Sequence, residues 1–172
     1  RSARTRVIDA GGRFATPGFI DDHTLFNSAG ALLIGANLLD VSTAAPFAAR
    51  VKAAVARMSP GAWLTGGDWG AYEDWSANSS GAAAPGAARQ TRFSPDRTMI
   101  DSVSGTTPVL LNRWDRSAWL ANGIALDKAG LSCTQSIAGL ECVNGRATGR
   151  VADAALARLR AAIAPKTFDQ RL

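Results

Sequence analysis

The chain's single histidine, His23, closes an extended run, Thr16-Pro17-Gly18-Phe19-Ile20-Asp21-Asp22-His23-Thr24-Leu25. An apolar run ending in Asp-His is how a barrel strand presents a ligand from its end. Imidazole binds metals readily, and a bound divalent metal turns water into a nucleophile at neutral pH. A catalytic metal takes about three or four protein groups. Side chains two positions apart share one side of an extended strand, and the position two beyond His23 is Leu25. One histidine cannot complete the set. Asp21 and Asp22 are read as hydrogen-bond acceptors in the strand-end loop.

Two further groups could do chemistry. Cys133 and Cys142 lie nine positions apart around a polar, glycine-containing segment. That spacing is not a zinc pattern. It suits a small disulfide loop, with two free thiols as the alternative; the disulfide would place the chain in a periplasmic or secreted setting, and free thiols would leave it cytoplasmic. The five tryptophans, Trp63, Trp69, Trp75, Trp114 and Trp119, can line a ligand cleft or form a core and its rim.

The elements that must position these groups read as mixed α/β. Residues 6–9 read as a short strand, 10–13 as a glycine turn and 14–23 as a second extended segment. Apolar positions 47, 51, 54, 55 and 58 fall on one face of a helix over 46–58, with Asp40 and Ser42 as its polar cap. A strand over 62–69 follows, then a Ser/Gly/Ala/Pro-rich surface loop over 76–90. The remainder reads as a helix over 95–103, a buried strand over 107–114 and a helix over 117–126. A hairpin holding both cysteines and a last helix over 151–163 complete the order.

At 172 residues the chain can build one ordinary core, and 47% hydrophobic with 19% charged residues describes a globular protein. No uninterrupted apolar stretch approaches the ~20 residues of a spanning helix, so no membrane partner is expected. The net charge of +5 comes from arginines scattered singly, without a basic run or interleaved aromatics, which argues against nucleic acid. The length falls short of the ~250 residues of a complete eight-fold barrel.

Three phrases together resemble one family. Residues 7–24 resemble the segment that joins the small β-domain of metal-dependent amidohydrolases to their first barrel strand. Gly61-Ala62-Trp63-Leu64-Thr65-Gly66-Gly67-Asp68-Trp69 and Pro108-Val109-Leu110-Leu111-Asn112-Arg113-Trp114-Asp115 are similar to the insertion of the amidohydrolase family 3 branch, which includes N-substituted formamide deformylases. Leu120-Ala121-Asn122, Ala125-Leu126 and Ala147-Thr148-Gly149 continue the match in order.

The resemblance implies a partial (β/α)-barrel. Residues 1–30 would hold the end of the small β-domain and the first barrel strand, and residues 31–172 a mixed α/β insertion and following helix. It implies hydrolysis of a small-molecule amide at a non-peptide carbon–nitrogen bond, with a divalent metal, zinc foremost. His23 matches the first ligand of the family's His-x-His. Trp69 and Asp115 become candidate substrate contacts. Leu25 departs from the second ligand, Arg116-Ser117 stand where relatives commonly carry Gly-His, and Ala152 stands where many carry lysine or glutamate.

These observations set two expectations. The first is an N-terminal portion of an amidohydrolase-like hydrolase, incomplete or inactive alone. The second is a degenerate, non-catalytic relative that binds a small molecule or a protein. Because a lone barrel strand exposes its edges, an oligomer or a complementing chain is expected in either case.

Overall fold

The computed structural model describes residues 2–7, 9, 11–13, 18, 26–72 and 92–165. His23, Leu25, Asp21, Asp22, the extended segment 14–23 apart from Gly18, Trp75 and the loop 76–90 lie outside the described residues.

Helix α1 spans Phe26–Ile34 and runs across position 30, where the sequence divides into its two expected parts. Helix α2 spans Ala44–Val55, and its buried residues Phe47, Val51 and Ala54 keep the expected helical spacing. Its cap differs from the expectation. Thr43 occupies the N-cap without a side-chain hydrogen bond, because Asp40 is drawn away to Arg50, whose Nη2 donates to Asp40 Oδ2 at 2.9 Å. An ion pair two turns into the helix outcompetes the cap for that carboxylate.

Five strands form one sheet in the order β1-β2-β3-β5-β4. They are β1 (Leu64–Trp69), β2 (Val109–Arg113), β3 (Trp119–Ala121), β4 (Leu140–Val143) and β5 (Arg146–Val151). Among the described residues, only β1 and β2 pair in parallel, with Leu64 opposite Val109; the other pairs are antiparallel. The connection from β1 to β2 carries α3 (Thr98–Ser104). All five residues of β2 are buried, as a strand covered on both faces must be.

Strand alternation divides the apolar residues between two cores. Val109 and Leu111 join Phe47, Val51, Leu64 and Ile100 on one face. Leu110 and Ala121 join α4 (Gly123–Lys128) and α5 (Asp153–Ala162) on the other, where Ala125, Leu126, Ala155 and Leu159 are buried.

Four further expectations are corrected. Residues 117–126 are not one helix: Trp119–Ala121 pair with β2 and β5, and Asn122 then caps the short α4 by accepting from the Ala125 amide at 2.9 Å. Tertiary pairing overrides a helical-looking apolar spacing. Val151 belongs to β5, so the last helix starts at Asp153. The hairpin β4–β5 holds Cys142 alone; it closes through Asn144 and Gly145 at φ 52° and 73°, the signature of a two-residue turn that needs positive φ at both positions. At the start of the chain, Arg6, Val7 and Asp9 lie in no strand. The glycine turn is present, with Asp9 Oδ1 accepting from the Gly11 amide at 2.8 Å.

Candidate functional site

In open α/β sheets, ligand chemistry gathers at the carboxyl ends of parallel strands. Here those ends are Trp69 on β1 and Arg113 on β2. The last turn of β1 runs through Gly66 and Gly67 at φ 93° and 96° into Asp68 at φ 52°. The pairing with β2 is irregular between Gly66 and Trp69. A Cβ at Gly67 would meet Leu38 Cδ1 at 2.8 Å, so this corner demands glycine. Asp68 has no such freedom, and its left-handed backbone costs roughly 1 kcal/mol or more.

That conformation delivers the Asp68 carboxylate to β2. Asn112 Nδ2 donates to Asp68 Oδ1 at 2.5 Å, and the Arg116 guanidinium pairs with the same oxygen. Arg116 itself sits at φ 61°. Two non-glycine residues in a disfavoured region thus meet in one ion pair across the strand ends. Asn112 Nδ2 also donates to the Arg113 carbonyl at 2.8 Å.

The loop 113–118 is wound tightly on itself. The Arg116 amide donates to the Arg113 carbonyl at 3.0 Å and the Arg113 amide to the Ala118 carbonyl at 2.9 Å. Within it, Asp115 Oδ1 accepts from the Ser117 amide at 3.0 Å and from Ser117 Oγ at 2.6 Å. Its Oδ2 accepts from Arg113 Nε at 3.3 Å. Partial burial alone would raise the Asp115 carboxyl. The hydrogen bonds from Ser117 and the Arg113 guanidinium outweigh it and hold the group below the usual carboxylate value.

Beside this loop a recess of about 270 Å³ reaches Ser117, Trp119 and Arg150. A shallower one of about 370 Å³ shares those three residues and is bounded on its far side by Gly139 and Leu140. Those two belong to the segment that Cys133 and Cys142 close: the sulfurs are bonded, with Cα atoms 6.0 Å apart. The segment packs on the start of α5, where the Ala152 amide donates to the Gly139 carbonyl at 2.7 Å and the Ala155 amide to the Ala138 carbonyl at 3.1 Å.

His23, Asp21, Asp22 and Trp75 lie outside the described residues, and the structure places several of the others. Asp115 is at the strand ends, as an organiser of its own loop. Trp69 borders the smaller recess, but it is only 3% exposed and its ring meets Phe47 edge-on at 6.1 Å, which is the packing of a core side chain. Trp119 is half-buried, with Arg160 stacked over its ring at 4.6 Å. Leu120-Ala121-Asn122 proves structural: Asn122 is buried between α3 and α4. Ala152 is the residue preceding α5. Sequence reasoning passed over Asp68, Asn112 and Arg150. The glycine pair before Asp68 was the available signal, since two adjacent glycines in a strand mark a bend or close approach.

Among the described residues, no group of three or more His, Cys, Asp or Glu side chains stands close enough to hold a metal ion. The two acids at the strand ends do not fit one either. Asp68 is committed to Arg116 and Asn112, and Asp115 to Ser117 and Arg113.

The model of the Amidohydrolase family matches residues 6–171. Protein LONG AFTER FAR-RED 3 of Arabidopsis thaliana is 30% identical over 171 residues, which is 97% of this chain and 27% of that protein. The crystal structure of an uncharacterized metal-dependent hydrolase from Pyrococcus horikoshii OT3 superposes with a TM-score of 0.50 at 16% identity. That superposition covers 79% of this chain and 22% of that one, and it is a likeness of fold. The chain thus spans about a quarter of the length of each.

Proposed function

The chain belongs to the amidohydrolase family, and from that membership we propose that it is part of a metal-dependent hydrolase of non-peptide carbon–nitrogen bonds, on the branch of the N-substituted formamide deformylases. The observation that carries this reading is the family match, which runs unbroken through residues 6–171. A metal-dependent hydrolase with a similar fold supports it. A divalent metal, zinc in this reading, would supply a hydroxide by lowering the pKa of its bound water to about 7. His23 would be one of its ligands. The described residues hold no such donor set, so their share of the work is substrate handling. Asp115 fixes the Ser117 hydroxyl by accepting its hydrogen bond, which leaves the Ser117 Oγ lone pairs as an acceptor at the recess. Arg113, paired with Asp115, and Arg150, paired with Glu141, line it.

Three features support assembly with a complementing part or chain. Leu33 and Ile34, at the end of α1, are 82% and 81% exposed. Among the described residues, the sheet has one parallel pair. The chain is about a quarter of the length of its plant relative. The disulfide supports a periplasmic or secreted location.

A second reading, a binding module that has lost catalysis, is favoured by Leu25, which has no lone pair for a metal. Purified protein from the complete reading frame decides between them. Bound divalent metal with chelator-sensitive hydrolysis of N-substituted formamides supports the enzyme. A folded protein that keeps no metal and cleaves no amide supports the binding module.

A further inference from the structure

Asparagine followed by glycine occurs at two places in the chain, Asn122-Gly123 and Asn144-Gly145. The pairing matters because the glycine amide nitrogen can attack the asparagine Cγ, and glycine has no Cβ to crowd that approach. At Asn122 the reaction is blocked twice. The side chain is 0% exposed, with its oxygen and its nitrogen both hydrogen-bonded inside the fold. The attacking nitrogen of Gly123 is committed as well, donating to Asp101 Oδ1 at 2.8 Å. Asn144 is the opposite case. Asn144 and Gly145 are exposed as the two tip residues of the β4–β5 hairpin, between the paired Val143 and Arg146. Among the described residues, nothing hydrogen-bonds the Asn144 carboxamide or accepts from the Gly145 amide.

We propose that Asn144 is a self-modification site, at which the folded chain deamidates without an enzyme. Loss of the Gly145 amide proton to solvent leaves a nitrogen that attacks Asn144 Cγ. The new nitrogen–carbon bond closes a succinimide ring, and the carboxamide nitrogen leaves as ammonia. One water then opens the ring at either carbonyl, giving aspartate or isoaspartate. No oxidant, reductant or metal takes part. The turn must open locally for the reacting atoms to meet, which an exposed hairpin tip does at small cost. Asn122 reacts only when its surroundings unfold, and a stability of about 5 kcal/mol or more keeps that population below about one in a thousand. Folding thus selects one of two chemically alike sites. The isoaspartyl product adds a methylene carbon to the backbone of a two-residue turn whose geometry sets the hairpin register. It also puts a carboxylate at a neutral tip. Strand β4, whose Leu140 and Glu141 wall the shallower recess, then loosens from β5. The modification is a one-way change in that wall. It goes beyond the hydrolytic reading and is independent of metal and turnover.

Incubation of the folded chain in mildly alkaline buffer, followed by peptide mapping that separates aspartate from isoaspartate, tests it. The peptide holding Asn144 converts at least about tenfold faster than the one holding Asn122. In urea the two convert at comparable rates, because the fold no longer protects Asn122. Hydrogen exchange across the hairpin rises in step with isoaspartate. Asn144→Gly, which suits the left-handed backbone, folds normally, and its hairpin exchange stays constant over the same incubation. Equal conversion of the two sites in the folded chain would overturn the proposal. So would an Asn144 that stays intact while the urea-unfolded chain converts fully. Conversion at Asn144 that leaves hairpin exchange unchanged, or a rise of equal size in Asn144→Gly, would overturn the loosening of β4.

Discussion

Asn122 is 0% exposed and all four of its side-chain hydrogen-bonding positions are used. Oδ1 accepts from the Val109 amide at 2.9 Å and the Ala125 amide at 2.9 Å. Nδ2 donates to Ser104 Oγ at 2.8 Å and the Thr107 carbonyl at 2.9 Å. One amide therefore ties α3, the start of β2 and the first turn of α4 together. Asn122→Ala removes a helix cap, worth about 1 kcal/mol. It also strands the Val109 amide and the Thr107 carbonyl, each at about 1–3 kcal/mol if left dry. A water entering the vacated space relieves part of that, so the expected loss is about 3 kcal/mol. With a urea slope near 2 kcal/mol per molar, the unfolding midpoint followed by circular dichroism drops by about 1.5 M at unchanged slope. Asn122→Asp keeps both acceptor bonds, yet places a carboxylate against the Thr107 carbonyl, and does not restore the loss. A loss under about 1 kcal/mol for Asn122→Ala would refute the reasoning, because it would mean these buried groups find other partners without cost.

Three other outcomes follow from the same geometry. Gly149 has φ 90°, and a Cβ there would lie 2.4 Å from the Ala121 carbonyl oxygen; Gly149→Ala should destabilise by about 2–4 kcal/mol in the same urea assay by forcing β5 away from β3. Replacing Cys133 and Cys142 by serine opens a loop with a sequence separation of 9; the chain-entropy relation gives about 2.5 kcal/mol, and hydrogen exchange should rise first at the amides of Ala152 and Ala155. The Arg50 hydrogen bond holds Asp40 below its ordinary value. Partial burial pushes Asp115 up, but its Ser117 and Arg113 hydrogen bonds leave it lowered as well. A lowered folded-state pKa contributes stability that is complete above the unfolded value of about 3.9 and is lost as pH falls through the folded one. The urea midpoint should therefore fall below about pH 4, and Asp40→Asn should flatten that fall.

How much of this was legible in the sequence depends on what each signal measures. Positions 47, 51 and 54 reported α2 because burial of one helix face is a local periodic property. The unbroken apolar run 109–111 reported β2 for the same reason. Residues 117–121 misled because Ser117, Ala118, Leu120 and Ala121 suit either state. The choice was made by pairing with Arg150 and Val151, some thirty residues away. Asp40 misled similarly: its nearness to α2 suggested a cap, and the better partner, Arg50, was set by the fold.

At the candidate site, Asp115 was visible as a polar residue in a distinctive phrase, but its work inside its own loop was not. The cluster of Asp68, Asn112 and Arg116 depends on β1 and β2 being parallel neighbours. Parallel pairing across forty residues leaves no mark in local composition. The recess draws Arg92, Arg113 and Arg150 from three separate stretches, a juxtaposition that leaves no mark in local composition.

Metal analysis and amide turnover on one preparation from the complete reading frame test the proposed metal-dependent carbon–nitrogen hydrolysis. Retained divalent metal is expected, with hydrolysis of an N-substituted formamide that chelation abolishes and added metal restores. A folded preparation that retains no metal and turns over no amide, with or without added zinc, would contradict it.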